Sequence, residues 1–294
     1  MFFLKIVVFI FQKIPLRYLH RLGDLLGLSV YYLNIDRRKV AETNLKIVLG
    51  EDFNRKIVKE NFKNSFRSIM EMFFVTRIDD QFVKENLIYG DLKDAYDIKD
   101  KKIPTFLLTG HVGSWELLPA IYSVVFDHEI SVIGKSMKNK AVDRVMVDLR
   151  MMDKVHFIKH KSALRIIHRY LNNGIPVGAL LDQGALDRQS VFVDFFGLKT
   201  TFTAGLPLYA FKKNIRFLMA FLVRDGGKYK VVLYPPIYPD KSMGVDEGVL
   251  EISRRINEVY EDIIKKYPEQ WFSLHKRFKR VLRDGDEQTS SIYR

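Results

Sequence analysis

The chain has 294 residues, no cysteine and a formal charge of +13, from 48 Lys and Arg against 35 Asp and Glu. The length suits one large domain or two small ones, and a composition 47% hydrophobic supplies a sizeable core and excludes disorder, collagen and repeat arrays. Without cysteine there is no disulfide framework, thiolate nucleophile or cysteine-ligated metal. The cation excess points to an anionic partner, whether nucleic acid, membrane, phosphorylated substrate or an acidic protein, against the plain alternative of a generally basic proteome. With 22 Phe and 14 Tyr besides, a membrane interface fits well, because cations meet anionic headgroups there and rings sit at headgroup level.

Residues 1–11 are nearly all apolar, interrupted by Lys5, and fall short of the roughly 20 apolar residues that span a bilayer. No small-residue cleavage site follows, which argues against a removed signal peptide. A second apolar stretch, 22–33, is broken by Asp24. Both read as helices lying in a membrane interface, against the alternative of packing on a soluble core. Residues 36–48 read as a helix with Asp36 as N-cap and Gly50 just beyond its end. Residues 54–75 place Ile57, Phe62, Phe66, Ile69, Met70 and Phe73 at near-helical spacing.

From 103 the pattern changes. Strand signals at 103–108, 130–133, 155–158 and 176–181 alternate with helical stretches at 115–126, 139–150 and 161–172. That alternation predicts an α/β fold with a mostly parallel sheet flanked by helices. Segments 215–223 and 229–234, joined through Asp225-Gly226-Gly227, read as a hairpin. An amphipathic helix over 246–266 ends before Pro268. The expected organisation is a membrane-associated helical region, 1–35, followed by an α/β domain, 36–294.

The segment richest in chemistry is Gly110-His111-Val112-Gly113-Ser114-Trp115-Glu116. His111 directly follows a strand, and open parallel sheets place ligands at the carboxyl ends of their strands. Glu116 falls where the next helix begins. Imidazole has the right basicity to take a proton from an alcohol, and a carboxylate can fix its tautomer. The spacing alone is weak, since seven histidines offer several chances of meeting a carboxylate; the flanking glycines and the strand–turn–helix setting give it weight. A purely structural histidine is the alternative.

The order of several such blocks resembles the lipid A late acyltransferases, the lauroyl and myristoyl transferases of bacterial envelope synthesis, over about 36–280. Besides 110–116, the matching residues are Arg37, Arg38, Asn44 and Leu45; Asp182 and Gln183 after a strand; Phe192 to Gly197 with Thr200, Thr201 and Thr203; and Pro268, Gln270, His275, Arg277, Phe278 and Lys279. Ser114 stands where that family often has Asn, and Lys135 where it has Arg, which keeps the charge but loses the bidentate fork. The resemblance implies direct acyl transfer from acyl carrier protein, or less often coenzyme A, to a hydroxyl of a phosphorylated glycolipid. It implies no acyl-enzyme, no cofactor and no metal. His111 would be the base and Glu116 its orienting partner.

Arg150 resembles an arginine near the family's active site, and Asp182 would orient Arg150 or the acceptor. Gly110, Gly113, Ser114, Trp115, Lys135, Gln183 and Arg277 are candidate substrate contacts. Phe195 and Phe196 would line an acyl channel or simply pack the core. The oxyanion would be met by backbone N–H groups after His111 or by a basic side chain. Trp271 reads as a core residue or interfacial anchor, and the basic run 275–280 as a solvated face or a membrane or carrier contact. The implied location is the cytoplasmic face of the bacterial inner membrane, peripheral or monotopic. Another lipid acceptor, such as a phosphatidylinositol mannoside or a lysophospholipid, is the nearest alternative. A non-catalytic basic binding protein is remote, since no nucleic-acid signature is present.

Overall fold

The computed structural model describes residues 2–135, 137–159, 163–186, 190–283, 285 and 288–293, with side chains from residue 6 onward. Its helices are α1 (Phe2–Lys13), α2 (Leu16–Leu33), α3 (Ile35–Leu49), α4 (Arg55–Glu71), α5 (Asp80–Asn86), α6 (Lys93–Asp100), α7 (Leu118–Val125), α8 (Lys140–Arg150), α9 (Ala163–Asn172), α10 (Gly205–Lys213) and α11 (Val245–Lys266). Its strands are β1 (Leu87–Ile88), β2 (Thr105–Thr109), β3 (Ile130–Gly134), β4 (Val155–Lys159), β5 (Val177–Leu180), β6 (Ser190–Phe195), β7 (Leu198–Thr203), β8 (Arg216–Asp225) and β9 (Lys228–Leu233).

Seven strands form one sheet in the order β1-β9-β8-β2-β5-β3-β4. All neighbours run parallel except the β8–β9 hairpin. The expected α/β architecture is therefore present, and β6–β7 make a separate antiparallel ribbon. Strand faces alternate as period two demands. Phe217, Met219, Phe221 and Val223 join Phe106 and Leu108 in the core shared with α9, α10 and α11. Leu218 and Leu107 point to the opposite face, beneath α6 and α7. The sheet is covered on both sides, as a parallel sheet requires.

Some boundaries differ from the sequence expectation. The α3 cap is Asn34, whose side chain accepts from the Arg37 N–H at 3.0 Å, rather than Asp36, which lies in the first turn. The helix expected to run to 75 ends at Glu71 and tightens into a 3-10 turn, Met72–Arg77. The helix after His111 starts at Leu118, so Glu116 sits in the turn before it. Residues 161–162 of the helix expected at 161–172 lie outside the described residues.

Among the described residues no helix is long and apolar enough to cross a membrane. α2 packs backbone-close on α4. A Cβ at Gly27 would lie 2.6 Å from the Phe62 carbonyl oxygen, and one at Gly23 would lie 2.8 Å from Arg67 N. The Asp24–Arg67 bidentate pair, at 2.5 and 2.7 Å, locks that register. The other side of α1 and α2 leaves Phe9, Ile10, Leu25, Leu26, Tyr32 and Leu33 exposed, beside Lys13, Arg17 and Arg21 stacked on Phe9 and Tyr18.

Candidate active site

β2 and β5 are adjacent parallel strands, and Thr109 pairs with Leu180 at their carboxyl ends. Two residues further along each chain stand His111 and Asp182, so the register itself brings them face to face. His111 Nδ1 lies 2.8 Å from Asp182 Oδ1. Asp182 is buried, while His111 keeps a quarter of its side chain exposed. Trp271 Nε1–H donates to the second Asp182 oxygen at 3.3 Å. The Gln183 amide nitrogen lies over the imidazole, 3.4 and 3.5 Å from its two nitrogens. Trp115 and Phe272 pack against the ring at 5.3 and 6.2 Å between centroids.

Burial opposes charge on both partners, and their mutual attraction wins. The Asp182 carboxylate raises His111 above its ordinary 6.5, and His111 in turn holds Asp182 below its ordinary value. The pair's stabilisation has two limits. The His111 contribution is complete below about pH 6.5 and is lost as pH rises through the raised folded-state value; the Asp182 contribution is present above its ordinary value of 3.8 and is lost as pH falls through the depressed one. An imidazole that acts as a base must be neutral to accept a proton, so in that role His111 would make turnover rise with pH through a single ionisation above 6.5. A kcat–pH profile checks this; a midpoint at or below 6.5 contradicts it.

Glu116 does not hydrogen-bond His111. Its carboxylate takes the Arg150 guanidinium as a fork, Nε at 2.9 Å and Nη2 at 2.6 Å. The expected residues thus converge at one site, but the pairs are His111–Asp182 and Glu116–Arg150. Guanidinium is the better geometric match for an accessible carboxylate, and Arg150 reaches it from the end of α8.

The loop between β2 and α7 is fixed from several directions. Gly113 has φ +64°, and a Cβ there would lie 2.1 Å from the Leu222 carbonyl oxygen. Gly113→Ala is therefore expected to destabilise the fold by several kcal/mol, through both a left-handed conformation and a backbone clash; a thermal midpoint within about 2 °C of wild type contradicts this. Gly110 leaves room for the Tyr260 ring, 2.9 Å from where its Cβ would stand. Tyr260 ties the two strand ends together: its hydroxyl donates to Thr109 O at 2.7 Å and accepts from Leu181 N at 3.1 Å.

The backbone amides of Val112, Gly113 and Ser114 donate to Gly110, Gln270 and Leu222 carbonyls. These three amides are spent on scaffold. Among the other candidate contacts, Ser114 is fully buried and accepts from Arg224 Nη1 at 2.8 Å, beneath the loop. Lys135 is exposed beyond β3. Phe195 is core, with Arg277 stacked over it at 4.4 Å. Arg277 is 2% exposed and donates to Thr200 and Thr201. Phe196, at φ +52°, begins the β6–β7 turn and donates its N–H to Glu261 at 2.6 Å.

Two of the matched residues, Arg37 and Asn44, converge with Asn61 on one segment. Asn44 Nδ2 donates to the Ser273 and His275 carbonyls, Arg37 to Leu274 O, and Asn61 to Pro268 O and Trp271 O. These clamps hold residues 268–275 so that Phe272 N–H reaches His111 O at 2.7 Å and Trp271 reaches Asp182. Sequence reasoning did not foresee Trp271, Phe272, Tyr260 or Arg224 at the site; each arrives through tertiary contact from a remote segment. No trio of His, Asp and Glu placed to hold a metal occurs among the described residues.

Comparison with known proteins gives the family. The profile of the bacterial lipid A biosynthesis acyltransferases matches residues 1–280. The lipid A biosynthesis lauroyltransferase of Escherichia coli (strain K12) is 24% identical over 280 residues, covering 93% of this chain and 89% of that protein. The chain belongs to the bacterial lipid A biosynthesis acyltransferase family and is an acyl-transferring enzyme.

Proposed function

We propose that the enzyme moves a fatty acyl chain from an acyl carrier protein thioester, or from acyl-coenzyme A, to a hydroxyl of a phosphorylated lipid A precursor. The observation that carries this reading is the His111–Asp182 hydrogen bond at the carboxyl edge of two adjacent strands, with the imidazole partly open to solvent. Asp182 keeps the proton on Nδ1 and leaves the Nε2 lone pair as the base. Nε2 takes the acceptor hydroxyl proton as its oxygen bonds to the thioester carbonyl carbon. The tetrahedral oxyanion then collapses, the C–S bond breaks, and Nε2 returns the proton to the thiolate. Arg150, oriented by Glu116, supplies positive charge for the oxyanion in place of the committed loop amides.

The exposed apolar face of α1 and α2, edged by Lys13, Arg17 and Arg21, suits a peripheral or monotopic seat on the cytoplasmic leaflet of the inner membrane. Cations in excess also suit an acidic carrier and an anionic glycolipid.

The test uses detergent-purified protein, carrier protein loaded with labelled C12 to C16 chains, and a tetra-acylated lipid A precursor. The expected product is heavier by one acyl chain. A product formed only with another lipid hydroxyl moves the acceptor assignment while leaving the chemistry, and no product with any acceptor overturns the reading.

A further inference from the structure

A cluster of buried charge lies outside the reacting groups. Glu71, at the end of α4, is fully buried. Arg224, near the end of β8, is 11% exposed and reaches both Glu71 oxygens at 3.0 Å. His20 from α2, at 2.8 Å, and the Tyr229 hydroxyl from β9, at 3.0 Å, complete the shell around Glu71 Oε1. Burial would push this carboxyl up, yet Arg224 foremost, then His20 and Ser114, hold it down at about 2. Glu71 is thus an anion at every working pH.

Such a pair contributes little net stability, because desolvating both charges offsets their attraction. What it can supply is geometry, and its remaining bonds show where. Arg224 donates to Ser114 Oγ at 2.8 Å, to Asn64 Oδ1 and O at 3.3 and 3.1 Å, and to Ser68 Oγ at 3.1 Å. Ser68 in turn donates to the Gly113 carbonyl at 2.6 Å. Gln270 brackets the Arg224 backbone, bonding its N–H and its carbonyl at 2.9 Å each, and its own carbonyl receives Gly113 N–H. One guanidinium therefore grips two successive residues of the loop that starts at His111.

We propose that Arg224, fixed by Glu71, is a positioning residue for the His111 base, acting through Ser114 and, by way of Ser68, through Gly113. This rests on the reading of His111 as the base. A loop freed at 113–114 lets the imidazole drift from Asp182, and displacements near 1 Å cost about 10²-fold in reactions that depend on alignment.

Two variants separate positioning from mere support. Arg224→Lys keeps the charge opposite Glu71 but loses the Nε and Nη2 bonds to Asn64 and Ser68; Ser114→Ala removes the loop's acceptor and leaves the Arg224–Glu71 pair in place. Both are read in the full-length protein by kcat, by donor KM, and by NMR titration of the His111 imidazole, assigned with His111→Gln. The expected result is a kcat at least about 10-fold lower with KM within about threefold, and a His111 ionisation that falls back from its raised position. Variants that lose only thermal stability, with kcat per folded molecule and the His111 titration as in wild type, overturn the proposal. If Arg224→Lys does not fold, Ser114→Ala alone decides. If wild type transfers no acyl chain, the reaction assignment fails, while the His111 titration in Ser114→Ala still tests the positioning.

Discussion

His111→Gln is expected to lower kcat by about 10² to 10⁴, the usual worth of a positioned general base, with little change in thermal stability. Glutamine is the informative replacement. Its amide N–H can still satisfy Asp182, which is 2% exposed and otherwise receives Trp271 Nε1–H, but it offers no basic lone pair. Alanine should be at least as inactive, and it also leaves the buried carboxylate short of a donor, at about 1–3 kcal/mol. Retention of more than about a tenth of wild-type kcat in the glutamine variant would sink the assignment of His111 as base, because no base contributing so little fits those magnitudes.

Asp182→Asn is expected to be nearly as damaging. An amide can present a donor to Nδ1 and favour the wrong tautomer, a change worth up to about 10⁴ where a carboxylate orients a catalytic imidazole. It should also leave a signature that Glu116→Gln does not. Asp182 is the foremost group raising His111, and burial pushes the other way, so without it the His111 ionisation should drop and the pH–rate midpoint with it. Wild type should gain stability over Asp182→Asn at pH 6, and the margin should shrink as pH rises through the folded-state value. Glu116→Gln breaks the fork to Arg150 and should leave most of the His111 shift in place. Equal midpoints in the two variants would return the orienting role to Glu116.

The sequence carried the alternation of strands and helices from 103 onward, because a parallel sheet buried on both faces writes itself as short apolar runs between amphipathic ones. It offered His111, Glu116, Arg150 and Asp182 as candidates for one site, and they fold into two neighbouring pairs. It did not carry who pairs with whom. Glu116 is five residues from His111 and Asp182 is 71, so local reading favours the near carboxylate; only the insertion of β5 beside β2 makes Asp182 the neighbour. The β6–β7 ribbon escaped for a related reason. Its turn puts Phe196 at positive φ, where the usual signal is Asn or Gly, and the conformation is held by a remote Glu261 carboxylate. Ser114 and Arg277, expected as contacts because they are polar within a motif, are both buried, Ser114 accepting from Arg224 and one Arg277 nitrogen donating to Thr200.

The strand order has a consequence for how the enzyme comes into being. The chain leaves β2, lays down β3 and β4 further out, and only then returns to fill the place between β2 and β3 with β5. Until that last insertion the sheet holds an open slot, and Asp182 does not yet face His111. The segment that seats Trp271 on Asp182 is synthesised later still, near the carboxyl terminus. Assembly of the His111–Asp182–Trp271 cluster is thus expected late, because it depends on contacts distant in sequence, which form slowly. A ribosome-bound nascent chain halted before residue 268 should carry most of its sheet and no activity.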